Sequence, residues 1–156
     1  VSRGQEGSQK DVGLTHVALL IRDVAASIDF YSRYAGMEVV HRRRDEGTGR
    51  EVLWLSDRTR PFVVVLIQAE QVEGRLDGFA HLGVGCGSRD EVDRLCELAR
   101  SEARLKLGPL DSGEPVGYWA FIQDPDGHNL EISYGQEVGL TVSSGSGSVA
   151  SPRSDL

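Results

Sequence analysis

Two cysteines in 156 residues are too few for a disulfide framework, and Cys86 and Cys96 do not form a CxxC pair. Both are expected as free thiols in a reducing, cytoplasmic compartment. Cys96, close to Leu95 and Leu98, reads as a buried apolar side chain. No run of about 18 apolar residues occurs, which leaves no candidate membrane helix. The segment Val1 to Lys10 is polar and lacks the apolar core of a signal peptide. An excess of basic residues is missing too. Seventeen Lys and Arg stand against 24 Asp and Glu, a net charge of −7, which excludes an ordinary electrostatic nucleic-acid binder. The run His41-Arg42-Arg43-Arg44 is too short to alter that and reads as a solvated strand end or a salt-bridged patch. Neither a nucleic acid nor a membrane is an expected partner.

What is present is a 39% hydrophobic chain long enough for one globular domain. Residues 1–12 are polar and predicted to be disordered, and residues 141–156 have a flexible-linker composition rich in Gly and Ser. The predicted domain is 13–140. It opens on an apolar, β-rich run, Leu14 to Ile21. Asp23 then reads as a helix N-cap and Gly36 as a C-cap, with Val24, Ile28, Tyr31 and Ala35 as the buried stripe. Strands follow at Met37–His41, Glu51–Leu55 and Phe62–Gln68. The order β-α-β-β-β recurs: a strand at Phe79–Gly85, a helix at Ser88–Ala103, and strands near 104–107, 117–123 and 128–134. The turn Asp124-Pro125-Asp126-Gly127 joins the last two.

The halves, about 13–70 and 78–135, can be laid on each other. His16 and His81 lie 65 residues apart, as do Trp54 and Trp119, and Asp23 and Ser88. Three equal spacings in the same element order indicate a duplicated unit. Each half thus opens on a strand with a histidine at the same place. The last strand carries Glu131 between Leu130 and Ile132, where a carboxylate needs solvent or a partner. Two imidazoles and one carboxylate suit a divalent metal, whereas each residue taken singly also fits an ordinary surface or core position. His41 and His128 are not expected as ligands.

The segments Thr15-His16-Val17-Ala18, Ala80-His81-Leu82-Gly83 and Asp124-Pro125-Asp126-Gly127-His128-Asn129-Leu130-Glu131, with the helix segment Ala26 to Tyr31, resemble the vicinal oxygen chelate superfamily. It includes glyoxalase I, methylmalonyl-CoA epimerase, fosfomycin-resistance enzymes, extradiol dioxygenases and bleomycin-binding proteins. The resemblance implies an α+β fold of two βαβββ modules forming an open half-barrel around a metal-binding cleft, and a homodimer. It also implies one divalent ion (Mn, Fe, Zn, Ni or Co) held by His16, His81 and Glu131. A substrate with two adjacent oxygens would chelate that ion, and Glu131 would also move a proton.

Departures from the family narrow the reaction. Glyoxalase I has a second metal-binding Glu in its first half; shifting Glu131 back by 65 residues falls on Leu66. Gln68, two positions on and on the same strand face, is then the candidate fourth ligand, as in the epimerase-like site; otherwise water or substrate fills the position. The acid–base Tyr and His of the dioxygenases fall near Phe121 and Ser112, and Asn129 replaces the Arg of the fosfomycin transferases. Glu51 falls near the general base of the hydrolase branch, and it reads equally as a solvent-facing strand end. Trp54, Phe62, Tyr118 and Trp119 are candidates to line the cleft and stack on substrate. The leading expectation is a metal-dependent glyoxalase-like lyase or isomerase. The alternatives are a drug-sequestering protein of the bleomycin-resistance type and an Fe(II) extradiol-type dioxygenase.

Overall fold

The structure, a computed structural model, describes residues 10–144. Most of the N-terminal segment and of the Gly/Ser-rich tail therefore lies outside the described residues. Two compact units emerge. The first runs to Asp77 and takes in the turn Asp124–His128; the second spans Gly78–Gln123 and continues from Asn129. Each is a βαβββ module with an open four-stranded sheet. No helix among the described residues is long and apolar enough to cross a membrane.

In the first unit β1 (His16–Ile21) leads into α1 (Val24–Ala35), and β2 (Glu38–Arg44), β3 (Glu51–Ser56) and β4 (Val63–Gln68) follow. The sheet order is β1-β4-β3-β2, with β1 parallel to β4 and the other pairs antiparallel. Asp23 caps α1 by accepting from the Ala26 N–H, and Gly36 closes it at a φ of 61°, left-handed backbone that favours glycine. The buried stripe is Val24, Ser27, Phe30, Tyr31 and Tyr34, whereas Ile28 and Ala35 are only half-buried. The expected stripe is thus displaced around the helix, and a serine lies within it.

The second unit repeats the plan with β5 (Leu82–Gly85), α2 (Arg89–Ser101), β6 (Leu105–Asp111), β7 (Tyr118–Gln123) and β8 (Asn129–Tyr134), in the order β5-β8-β7-β6. Ser88 caps α2 by accepting from the Glu91 N–H. Strand β5 is shorter than expected, so Phe79 and His81 lie just ahead of it. A short helix, α3 (Val138–Ser144), occupies residues where the sequence suggested the start of the tail. Cys96 is buried and Cys86 half-buried; both are free, and burial pushes each thiol up to about 11.

Alternation along the strands sorts the side chains into two faces. In the first unit Leu19 lies opposite Leu66, which lies opposite Leu53, and all three are buried. The other face carries Ala18, Val65 and Trp54, in register, and begins with His16.

The turn Asp124–His128 is held within the first unit by side chains. One oxygen of Asp124 accepts from the N–H groups of Asp126 and His128, each at 2.9 Å, and the other accepts from the Tyr31 hydroxyl at 2.9 Å. Asp126 accepts from the Arg22 backbone N–H at 3.2 Å and from its Nε at 3.0 Å. His128, 1% exposed, accepts at Nδ1 from the Leu76 N–H at 3.1 Å, which places its proton on Nε2, 2.8 Å from the Leu20 carbonyl. Gly127, at a φ of 90°, completes the turn. The sequence motif therefore codes a hydrogen-bonded plug, with no side chain of Asp124, Asp126 or His128 left over for chemistry.

Candidate metal centre

Strand register decides which residues of the halves correspond. In the second unit Glu131 faces Gly83, two residues after His81. In the first, the residue two after His16 is Ala18, and it faces Val65. The counterpart of Glu131 is thus Val65, not Leu66. Across the next strand Glu131 faces Phe121 and Val65 faces Trp54, so the counterpart of Trp54 is Phe121, not Trp119. The 65-residue spacing holds for the histidines and helix caps; it is 67 at β7, because α2 and the connection after it are each one residue longer than in the first unit, and 66 at β8, because the β7–β8 turn is one residue shorter than its counterpart. The spacing of the two tryptophans is a coincidence.

This register corrects the expectation for Gln68. It shares a face with Leu66 and therefore leaves the sheet on the side opposite His16. Its Oε1 accepts from the Glu51 N–H at 3.2 Å. Glu51 is also engaged: its carboxylate receives Nε and Nη2 of Arg42 at 2.8 and 2.9 Å. Both residues line a cleft of about 410 Å³ at the start of α1, beside Asp23 and Val24. Neither a fourth ligand at Gln68 nor a free base at Glu51 is consistent with these positions. Gln68→Ala is expected to leave divalent-metal affinity within about twofold of the parent, as read by calorimetric titration; a loss of tenfold would restore Gln68 to the ligand set.

The second unit brings His81 and Glu131 together. Glu131 is 6% exposed and faces Phe121 on the neighbouring strand. His81 Nδ1 donates to the Phe79 carbonyl at 2.6 Å, a bond that orients the ring and turns Nε2 toward Glu131. That Nε2 stands 3.4 Å from Glu131 Oε2. Metal–nitrogen and metal–oxygen bonds of about 2.1 Å separate two adjacent donors on one ion by about 3.0–3.4 Å. The ring orientation, the gap and the donor types therefore fit a divalent cation. The other oxygen, Oε1, accepts from Gln136 Nε2 at 2.6 Å.

His16 opens β1 in the first unit, exposed, with Nδ1 2.9 Å from Thr15 Oγ1. Among the described residues no three His, Cys, Asp or Glu side chains are gathered as a set for one ion; what the second unit offers is the pair.

The aromatic candidates divide. Phe121 lies under His81, ring centroids 4.9 Å apart, with Trp119 at 5.0 Å and Phe79 at 6.1 Å from Phe121. Trp119 is fixed by its Nε1, which donates to Ser112 Oγ at 2.9 Å. Tyr118 points to the opposite face, where its hydroxyl donates to Asp93 on α2 at 2.5 Å and Arg89 covers its ring. It therefore does not share the face of Glu131, as strand alternation requires of a residue next to Trp119. Trp54 is 43% exposed and stacks on His41 at 5.0 Å, on the face that carries Val65. Phe62 is half-buried just ahead of β4. Sequence reasoning missed Phe79 and Gln136: neither lies in a strand, and periodicity carries no signal for either.

Comparison with known proteins gives the family. The Glyoxalase/Bleomycin resistance protein/Dioxygenase superfamily matches residues 13–132, and the chain belongs to it. An uncharacterized protein of Pseudomonas aeruginosa is 36% identical over 129 residues, 81% of this chain and 91% of that protein. The lactoylglutathione lyase of Neisseria meningitidis serogroup B is 30% identical over 128 residues, 76% of this chain and 88% of the lyase. Against longer plant relatives the chain spans less than half: 35% of a probable chloroplastic lactoylglutathione lyase of Arabidopsis thaliana. Among solved structures, the fosfomycin resistance protein FosX of Listeria monocytogenes, complexed with Mn(II) and sulfate, aligns at a TM-score of 0.63 and 16% identity, over 82% of this chain and 96% of FosX. A glyoxalase I of Leishmania major, described as trypanothione-dependent, aligns at 0.63 and 20% identity, over 86% and 95%. These two alignments show the fold.

Proposed function

We propose that the protein is a metal-dependent enzyme of the lyase or isomerase kind, acting on a small molecule that binds one divalent metal through two adjacent oxygens. The observation that carries this reading is the His81–Glu131 pair, with Nδ1 tied to a carbonyl and Nε2 set 3.4 Å from the carboxylate. His16 is the third donor in this proposal. Similarity to lactoylglutathione lyases supports the reaction class. A bound divalent ion supplies Lewis acidity toward a substrate oxygen. Around it the chain contributes the Phe121 and Trp119 rings as an apolar wall that limits water near Glu131. In this reading Glu131 would hold the ion through Oε2, the oxygen that faces His81. The enzyme acts in the cytoplasm, as a homodimer.

The substrate is not expected to be handled with the two-carboxylate ligand set that the resemblance to glyoxalase I implies, because the position matching Glu131 in the first unit is Val65. The experiment is turnover of a panel of α-hydroxycarbonyl compounds, glutathione hemithioacetals of α-ketoaldehydes included, by protein loaded in turn with Mn²⁺, Fe²⁺, Co²⁺, Ni²⁺ and Zn²⁺. Metal-dependent turnover abolished by chelation is the expected result. Tight ligand binding that survives metal removal, without turnover, would instead make this a sequestering protein.

A further inference from the structure

Gln136, just past β8, donates to the Glu131 carboxylate, and we propose that it is a positioning residue: it occupies Oε1 so that Glu131 would meet a metal through Oε2 alone. The inference rests on the reading of His81 and Glu131 as metal donors. Its basis is geometric. Gln136 is exposed, yet its Nε2 reaches the buried carboxylate at 2.6 Å. Oε2, the atom left over, is the one that faces His81 Nε2. A carboxylate with one oxygen held by a neutral donor keeps its charge and loses the freedom to swing into bidentate ligation. Monodentate ligation leaves more of the coordination sphere for a substrate that brings two oxygens of its own.

Backbone packing holds Gln136 in place. Gly135, at a φ of 83°, turns the chain out of β8. The next N–H but one, that of Glu137, donates to the Pro115 carbonyl at 3.0 Å. Gly117 lies against this exit so closely that a Cβ there would stand 2.4 Å from the Tyr134 carbonyl oxygen and 3.1 Å from the Gln136 nitrogen. The segment 115–117 therefore forms a seat for 135–137, and only a residue without a side chain fits at 117. The Gln136 amide is delivered to Glu131 by this seat and by no helix or strand of its own.

The test is titration of metal-free protein with Mn²⁺, followed by calorimetry and by electron paramagnetic resonance of the bound ion. Gln136→Ala is expected to weaken Mn²⁺ binding about 10- to 100-fold, the usual effect of removing a partner of a metal ligand, and to change the zero-field splitting of bound Mn²⁺ as Glu131 becomes bidentate. Gln136→Met, of similar length but without a donor, is expected to behave as Gln136→Ala. Gly117→Ala is expected to reproduce both changes, with the thermal unfolding of each metal-free variant recorded alongside. Full Mn²⁺ affinity and an unchanged spectrum in Gln136→Ala, or parent-like behaviour in Gln136→Met, would overturn the positioning role and leave the His81–Glu131 site standing. A parent that binds no Mn²⁺ while Ni²⁺, Co²⁺ and Zn²⁺ also fail would overturn the site itself, and the positioning role with it.

Discussion

Asp124→Ala is expected to destabilise the fold by about 3 kcal/mol or more, because it removes the acceptor for three donors at once. The Asp126 and His128 N–H groups and the Tyr31 hydroxyl all converge on this carboxylate, which is 3% exposed. None of them gains water readily when the carboxylate goes. Tyr31→Phe removes only one of the three bonds and is expected to cost about 1 kcal/mol. The pair also sets a pH dependence. Burial first, and the nearby Asp124 charge second, raise the Tyr31 hydroxyl well above its ordinary value. A group raised in the folded state contributes fully below its unfolded pKa, about 10 for tyrosine, and the contribution is lost as pH rises past that value. Urea unfolding of the parent, Asp124→Ala and Tyr31→Phe from pH 7 to 11 checks both points. A parent–Phe difference that stays constant to pH 11 would contradict the assignment, and an Asp124→Ala cost below 1 kcal/mol would show that the turn holds without the carboxylate.

The second large effect is expected at the metal pair. His81→Ala and Glu131→Ala should each lower divalent-metal affinity by more than about 100-fold, beyond the range of losses seen for ligand-supporting residues. Turnover should fall with metal occupancy. The two variants are also expected to differ in stability. Removing Glu131 relieves a buried carboxylate and vacates the Gln136 amide, whereas removing His81 takes away the ring that packs on Phe121 at 4.9 Å. Stability of the metal-free proteins therefore separates an effect on the ion from an effect on the fold. Parent-like affinity in either variant would remove that residue from the ligand set.

Much of this architecture was legible in the chain. The caps at Asp23, Gly36 and Ser88 announce their helices through local hydrogen-bonding chemistry, which needs no tertiary context. The duplication was legible because both histidines and both caps precede the variable connections. Beyond that point a fixed offset fails. Each extra residue in a connection moves the count by one, and one residue reverses the face of a strand side chain. That is why Leu66 stood in for Val65, and why Gln68 was taken for a candidate ligand on a face it does not share with His16. The same arithmetic joined Trp54 to Trp119, when the cross-strand partner of Glu131 is Phe121. Tyr118 illustrates the parity rule from the other side: adjacency to Trp119 in sequence means separation by the whole sheet in space. Gln136 was illegible for a different reason. Its role depends on the close approach of Gly117 to the exit of β8, a contact between segments that no local pattern encodes.

The plug formed by Asp124, Asp126 and His128 changes how the best-defined sequence motif of the chain is understood. Its residues resemble the family pattern that precedes a ligand glutamate, yet the side chains of Asp124, Asp126 and His128 are engaged in holding the turn. The proposed chemistry begins at Glu131, whose carboxylate lies 3.4 Å from His81. A structural reading of the motif and a chemical reading of the residue that follows are thus separable by mutation.

Metal content of the purified protein, measured by mass spectrometry for the parent and for His16→Ala, tests the central claim most directly. The account predicts about one divalent ion per chain in the parent and a loss of most of it in His16→Ala, the proposed third donor. A parent that holds no divalent ion, even after reconstitution with each of the five metals, would contradict the account and leave a ligand-sequestering protein in its place.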